Sequence, residues 1–382
     1  MDVSIPACTA DVSAEWLTAV LRDSGTIGAQ TSVTSIACEP SAIGVGFMGE
    51  VGRVEVRYAN ATGGEPASVV VKFPTANPEV AAMMRPTRVY EREHRFYAEL
   101  AHLTPLRTPR TYHITCETSP DPDEDERYLL VLEDLSSMTL GDQLAGLSAE
   151  QTASALTGLG AHHARFWNGA GLEAASFVPD IDGPLNLIGQ SIYAASLPGF
   201  LSLFDDALEP ETRKLARDYE ANHPQLLRRL GAMPRTLVHF DYRADNLFFD
   251  DAAADVTAGG VGEVAAIDFQ AISAGGGAAD VGYLLSQNLE SSTRRLHEIE
   301  LLHCYHDALA AGGVRDYPFE QLLDDYRVGL IYGWVIPVFA TGTLDSSSER
   351  AMALWTAAIE RVTDAVFQHG AHELLTERKD TS

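Results

Sequence analysis

Residues 237–250 read LVHFDYRADNLFFD. An apolar run leads into His239, a polar stretch passes through Asp241, Arg243 and Asp245 to Asn246, and a second apolar run, Leu247-Phe248-Phe249, follows. Apolar stretches on either side of a polar centre predict a loop between two short strands. Downstream, Glu263–Ile267 predicts another strand, which ends in Asp268-Phe269-Gln270. Two acids and an amide at the ends of neighbouring hairpin strands suit phosphoryl transfer from a metal nucleotide. Asp241 would orient a hydroxyl and accept its proton, while Asn246 and Asp268 would hold Mg²⁺ against the phosphates.

At these residues the chain resembles the kinase-like fold, and within it the aminoglycoside phosphotransferase and ecdysteroid-kinase-like (choline-kinase-like) small-molecule kinases. That group commonly writes its catalytic loop His-Gly-Asp-x-x-x-x-Asn and its metal motif Ile-Asp-Phe-Gln or Ile-Asp-Trp. Here the motifs are His239-Phe240-Asp241 with Asn246, and Ile267-Asp268-Phe269-Gln270, so Phe240 stands where Gly is usual. The resemblance implies an α+β, two-lobed, protein-kinase-like fold. Its N-terminal nucleotide-binding lobe, residues 1–135, would hold an antiparallel sheet and one long helix behind a short helical lead-in over 1–30. A larger, mainly helical lobe, residues 136–382, would carry catalysis and substrate binding.

The upstream half has the parts such a lobe needs, in order. Three β segments are predicted at Ser32–Cys38, Gly52–Tyr58 and Ala67–Phe73. Between the first two, Gly44, Gly46 and Gly49 form a glycine-rich hairpin tip, which would let backbone amides approach phosphates closely, although an ordinary hairpin turn would look the same. Lys72 lies inside an apolar strand, where an uncompensated charge costs several kcal/mol, so it requires an anion. The resemblance supplies two: nucleotide phosphates and a Glu from the next helix, predicted over Thr87–Leu103. Glu93 and Glu91 both qualify. Related kinases place this Glu three residues before a Phe-Tyr pair, which favours Glu93; surface i,i+4 pairing is the plainer reading of the same acids. Thr108–Thr115 and Arg127–Glu133 predict two more strands around an acidic loop. The second runs into Glu133-Asp134-Leu135, the family's hinge, where backbone groups of Glu133 and Leu135 would bond the adenine edge.

In the downstream half, Leu140–Leu144 and Ala149–Trp167 predict helices. His162 and His163 are adjacent on the second, point to different faces and read as structural rather than metal-binding. Prolines punctuate residues 171–235, which would help form the substrate pocket. His239 is expected to support the loop backbone, Arg243 and Asp245 to pair, and Asp280 to cap a helix or anchor a loop. Asp280 follows Asp268 so closely that no long activation loop fits, and no Ala-Pro-Glu follows, which points away from a protein kinase. Helices are predicted at Ser292–Ala311, Pro318–Phe339 and Ser346–Leu375, with Arg294 and Arg295 as a surface pair.

Composition sets outer limits. The chain has 382 residues, 46% of them hydrophobic, and a mean hydropathy of −0.05, as expected of an ordinary soluble protein. No apolar run approaches the ~20 residues of a membrane span. The N-terminus lacks a basic and apolar leader, and the four cysteines are scattered without metal-ligand spacing, so a reduced, cytoplasmic protein is expected. A formal charge of −27 disfavours nucleic acid and anionic membrane as partners. It leans weakly to a cationic substrate, but a generally acidic, solubilising surface is the better explanation of it. The combined expectation is transfer from ATP or GTP, with Mg²⁺, to a hydroxyl of a small molecule: an aminoglycoside, a steroid-like alcohol, an amino alcohol or a hydroxyacyl thioester. A catalytically inactive nucleotide-binding scaffold of the same fold is the alternative.

Overall fold

The computed structural model describes residues 5–40, 49–118, 126–250, 262–343 and 348–375. The chain forms two compact units, Met1–His102 with Thr108–Ser137, and Leu103–Arg107 with Met138–Ser382. Among the described residues no helix is long and apolar enough to cross a membrane.

The first unit opens with α1 (Ala14–Asp23), whose first turn is capped by the Ser13 side chain accepting from the Trp16 N–H at 3.1 Å. Strands β1 (Ser32–Pro40), β2 (Gly49–Ala59), β3 (Ser68–Pro74), β4 (Thr111–Glu117) and β5 (Arg127–Glu133) form an antiparallel sheet in the order β1-β2-β3-β5-β4. Strict alternation along β3 buries Val69, Val71 and Phe73 in the core that also takes Trp16 and Leu17 of α1. Lys72, between Val71 and Phe73, therefore points from the opposite face. Between β3 and β4 lie α2 (Pro78–Met84) and α3 (Val89–Arg95), which continues into a wider π-turn at Phe96–Leu100. The single helix expected over Thr87–Leu103 is thus shorter and uneven. Arg88 takes a left-handed conformation (φ 55°) and starts the helix late.

The second unit begins with β6 (Thr139–Leu140) and α4 (Ala149–Arg165), the latter closed by a capping box between Ser148 and Gln151. Leu140–Leu144 is not the helix its apolar spacing predicted. Leu140 instead pairs with Phe248, and the Gly141 N–H donates to the Leu247 carbonyl at 2.9 Å, so strand pairing overrides local propensity. Two long helices follow, α5 (Pro184–Leu203) and α6 (Pro210–Gly231). Pro184 and Pro210 start them, as prolines can, but Pro198 and Pro224 sit inside them instead of punctuating loops. Pro198 is exposed, so water can reach the carbonyl that it leaves unpaired.

Short strands β7 (Arg235–Val238), β8 (Leu247–Asp250), β9 (Glu263–Ala266) and β10 (Ser273–Gly276) make two small antiparallel ladders, β7 with β10 and β8 with β6 and β9. Helices α7 (Ala278–Gln287), α8 (Ser291–Ala311), α9 (Phe319–Gly333), α10 (Val335–Thr343) and α11 (Glu349–Gln368) complete the unit. The helix predicted as continuous from Pro318 to Phe339 breaks at Trp334, between Gly333 and Pro337, a weak helix former and a residue without an N–H. α7 and α9 cross at glycines: a Cβ on Gly329 would lie 1.9 Å from the Ala278 carbonyl oxygen. That close crossing places Asp280 of α7 and Tyr332 of α9 at the same loop, the segment between β7 and β8.

Candidate active site

The β7–β8 loop is held from beneath by a buried carboxylate. Asp280 accepts from the His239 N–H through Oδ2 and from the Phe240 N–H through Oδ1, both at 2.7 Å. Its Oδ2 also faces His163 Nε2 at 3.2 Å, and the Tyr305 hydroxyl pairs with the other ring nitrogen of His163 at 2.9 Å. The side chains of Asp280, His163 and Tyr305 are withdrawn from water, where charge-assisted hydrogen bonds hold geometry well. Asp280 is accordingly the loop anchor that its position suggested. His239 completes the support: Nδ1 accepts from the Asp241 N–H at 3.3 Å and Nε2 donates to the Ile267 carbonyl at 2.9 Å. One ring therefore ties the loop to the end of β9, with its proton on Nε2.

Phe240 has φ 69°, a left-handed conformation that favours glycine. This is the position where related loops carry Gly, so the backbone shape persists while the residue differs. Three contacts retain it: the bond to Asp280, a bond from the Tyr332 hydroxyl to the Phe240 carbonyl at 3.0 Å, and near-parallel ring stacking on Tyr332 at 4.4 Å and 12°.

Asp241, Asn246 and Asp268 come together in the second unit. Asn246 Nδ2 donates to the Asp241 carbonyl at 2.9 Å and to its Oδ2 at 3.1 Å. Its amide donor is thus committed, and Oδ1 is the atom that it can offer a cation. The Ile267 N–H donates to the Asn246 carbonyl at 3.0 Å, which sets Asp268 beside Asn246 across the β8–β9 ladder. Asp268 is itself left-handed (φ 68°), turning its carboxylate out of the strand direction, and Oδ2 accepts from Gln270 Nε2 at 3.1 Å. An amide oxygen plus a carboxylate fits Mg²⁺, which takes few protein ligands and fills its octahedron with phosphate oxygens and water. Among the described residues no cluster of three or more His, Cys, Asp or Glu forms a self-sufficient metal cage.

Burial pushes the Asp241 carboxyl above its ordinary range; Arg243 opposes this and the nearby Asp268 charge adds to it. Arg243 Nε lies 3.5 Å from Asp241 Oδ1, while Nη1 donates to Asp245 Oδ2 at 2.6 Å and to Gln143 Oε1 at 3.3 Å. The expected Arg243–Asp245 pair is present, and it also fixes the guanidinium against Asp241. Asp245 in turn accepts from the Gln143 N–H at 2.9 Å.

In the first unit, Lys72 Nζ meets both oxygens of Glu93 at 2.8 Å, and Glu93 is almost fully buried. Glu91, the other candidate, pairs with Arg88 and with Arg95. Glu133 ends β5: its N–H donates to the Arg110 carbonyl at 2.8 Å and its carboxylate accepts from the Arg110 N–H at 3.0 Å. Leu135 is buried. Between them Asp134, which sequence reasoning left without a role, accepts from Arg53 Nε at 2.7 Å and from the Ser68 hydroxyl, tying the segment to β2 and β3. Gly44 and Gly46 lie outside the described residues. Gly49 is the first residue of β2, and a Cβ there would approach the Phe73 carbonyl oxygen to 2.7 Å.

The remaining expectations divide. His162 bonds Thr104 and the Leu237 carbonyl and is wholly buried, a structural residue as read. Arg294 is not on the surface: it is 1% exposed and binds Glu298 and Asp364 at 2.6 and 2.8 Å. A single Arg-Arg dipeptide on a helix with no pronounced apolar face gives no sign of which arginine turns inward. Tyr332 and Gln143 were also missed, since neither belongs to a local motif.

Comparisons with known proteins come to the same place. The model of the ecdysteroid kinase-like family matches residues 44–314. A search of curated proteins returned no match. Among solved structures, a protein of aminoglycoside phosphotransferase type from Ralstonia eutropha is similar over 94% of this chain and 97% of its own, at 17% identity and a TM-score of 0.53. A choline kinase from Cryptosporidium parvum Iowa II is similar over 96% of this chain and 100% of its own, at 10% identity and a TM-score of 0.55. At such identities these likenesses speak for the fold, an α+β arrangement of protein-kinase type.

Proposed function

This chain belongs to the ecdysteroid kinase-like family, and from that premise we propose that it is a small-molecule kinase moving the γ-phosphate of ATP, or GTP, to a hydroxyl. The observation that carries the reading is the loop geometry: a carboxylate, Asp241, bonded to an amide whose oxygen remains for a cation, with a second carboxylate, Asp268, at the adjacent strand end. Bound Mg²⁺ would neutralise developing charge on the transferred phosphoryl group. Asn246 and Asp268 are the residues to hold it.

The protein's own part is positioning and electrostatics. Asp241, bonded by Asn246 on one oxygen and faced by Arg243 on the other, is oriented to receive the acceptor O–H. Its raised pKa moves it toward working pH, where a carboxylate is a better proton acceptor. Lys72, steered by Glu93, provides an ammonium for the nucleotide phosphates, and Glu133 and Leu135 the backbone groups for the adenine edge. The acceptor is a small-molecule alcohol. The reaction belongs in the cytoplasm, where nucleotide is abundant and the four free cysteines stay reduced.

The test combines nucleotide binding with turnover. Mg-ATP raises the melting temperature of the wild type, and Asp268→Ala abolishes the Mg²⁺-dependent part of that shift. Asp241→Asn keeps the shift and slows nucleotide consumption, measured with a panel of alcohols, by roughly 10²–10⁴-fold. Wild-type turnover in Asp241→Asn overturns the assignment. A full Mg-ATP shift with no consumption on any alcohol identifies the inactive scaffold instead.

A further inference from the structure

Arg361 of α11 is a cation shut inside the second unit, with its side chain 5% exposed. It directs most of its donors to backbone. Nη1 donates to the Gln143 carbonyl at 2.7 Å and to the Gln287 carbonyl at 3.2 Å, and Nη2 to the Leu144 carbonyl at 3.0 Å and to Glu290. Gln287 ends α7, and an arginine on the last carbonyls of a helix is an ordinary cap. Gln143 and Leu144 belong to no helix. They lie in the turn after β6, which closes through Gly146 at φ 84°. Helix capping accounts for the first of these carbonyls; the other two lead to the site.

The turn is joined to the β7–β8 loop along its length. The Gln143 N–H donates to Asp245 Oδ1 at 2.9 Å. Asn288, just past α7, bridges the two segments: its carbonyl accepts from the Leu147 N–H at 2.7 Å and its Oδ1 from the Ala244 N–H at 2.8 Å. The buried Gln143 side chain reaches further. Its Oε1 accepts from Arg243 Nη1 at 3.3 Å, while Asp245 Oδ2 accepts from the same nitrogen at 2.6 Å. Nη1 carries two hydrogens, so each acceptor takes one. A guanidinium is planar and rigid, and fixing both N–H directions at one nitrogen fixes the plane of the whole group. On Asp245 alone, Arg243 could swivel about a single hydrogen bond. With Gln143 as well, Nε stays turned to Asp241 Oδ1 at 3.5 Å.

That orientation matters because Arg243 stands among acids. Asp241, Asp245 and Asp268 all face it, together with the Tyr283 phenol of α7. Asp241 is faced in turn by Arg243, Asp268, His239 and Asn246, and by the phenols of Tyr283 on α7 and Tyr332 on α9. The direction of one guanidinium therefore decides which carboxylate it favours. We propose that Gln143 is a positioning residue for the transfer: held in place by Arg361 of α11, it keeps the Arg243 guanidinium on Asp241 instead of on Asp245 alone. This deepens the kinase reading, resting on Asp241 as the group that receives the hydroxyl. It also brings α11, which carries no motif, into the construction of the site.

The experiment reads Asp241 directly. Protein labelled with carbon-13 at the aspartate carboxyl carbons is titrated by NMR, and the Asp241 resonance is the one missing from Asp241→Asn. Gln143→Met keeps the unbranched length and loses the amide. It moves the Asp241 titration to higher pH, because the carboxylate loses part of its cation, and Arg243→Gln moves it further. In Gln143→Met/Arg243→Gln the first substitution adds nothing, since its effect passes through Arg243. Arg361→Lys, whose single ammonium cannot span the three carbonyls, shifts the titration in the same direction and carries the same comparison if Gln143→Met does not fold. A wild-type titration in Gln143→Met or in Arg361→Lys overturns the proposal. So does a shift of equal size with and without Arg243, which is what a packing defect gives. Turnover on the alcohol panel falls about tenfold in Gln143→Met, and no further when that change is added to Arg243→Gln. The titration needs no turnover, so the two readings fail separately. A coupled shift in a protein that never consumes nucleotide sinks the kinase reading and leaves Gln143 holding Arg243; turnover with an uncoupled shift does the reverse.

Discussion

Asp241 is balanced between opposed influences. Burial and the Asp268 charge favour its neutral form, while the Arg243 guanidinium 3.5 Å away and the Asn246 amide favour the carboxylate. Arg243→Gln removes the cation, so the Asp241 pKa rises further and the acid limb of the pH–rate profile moves to higher pH. At pH well above that limb, turnover recovers part of its loss; a limb that does not move would show that Arg243 leaves Asp241 untouched. Lys72–Glu93 shows how far residue-scale reading can reach. A lysine in an apolar strand demanded an anion, and the structure provides Glu93. Phe240 shows where it stops. The sequence displayed a departure from Gly, but not that the backbone stays left-handed beneath the aromatic ring.

At the scale of elements, the loop depends on a helix that never touches the chemistry. Asp280 sits in the first turn of α7, and each of its oxygens receives a backbone N–H of the β7–β8 loop. Asp280→Ala leaves two buried N–H groups and His163 without their acceptor. We expect a stability loss of about 3 kcal/mol in denaturant unfolding, from the desolvation of unpaired groups. Turnover falls more steeply than the unfolded fraction explains, because the loop loses its register; an Asp280→Ala protein that is equally stable and active would refute the anchoring role. Elements were legible where the pattern was local and strong: β3, β5, β7, β8 and α4 lie close to their expected bounds. They were misread where a distant partner decided. Leu140 has helical spacing yet joins a strand because Phe248 is there to pair with it. Pro198 and Pro224 read as breaks, yet the helices run through them.

On the scale of the whole molecule, buried neutral histidines tie stability to pH. Burial lowers His94, in the first unit, to about 4 and His223, in the second, also to about 4, against an unfolded value near 6.5. The unfolded chain therefore binds the proton first. Each contribution is complete above about pH 6.5 and shrinks by roughly 1.4 kcal/mol per pH unit as pH falls, levelling off near 4. Denaturant melts between pH 7 and 4 should lose stability along this slope, with the loss reduced in His223→Phe; a pH-independent midpoint through that range would contradict it. Arg294 belongs to the same scale. Its side chain lies inside the second unit against Glu298 and Asp364 only because α8 and α11 pack there.

What the sequence determined by itself was the order of parts and the chemistry they could do. Motif residues must sit at short, regular separations on adjoining strands, and separation along the chain is what a sequence displays. The positions of Asp241, Asn246 and Asp268 were therefore readable, as were Lys72 and, from the Phe-Tyr spacing, Glu93 as its partner. Only the tertiary structure showed the Lys72–Glu93 contact itself, how Asp280 anchors the loop through both its oxygens, and what lies behind Phe240. Each depends on contacts between residues tens to more than a hundred positions apart, such as Asp280 with His239, Tyr332 with Phe240, and His163 with Tyr305. Those contacts are set by helix crossings and burial, which leave no periodic trace in either partner's local sequence.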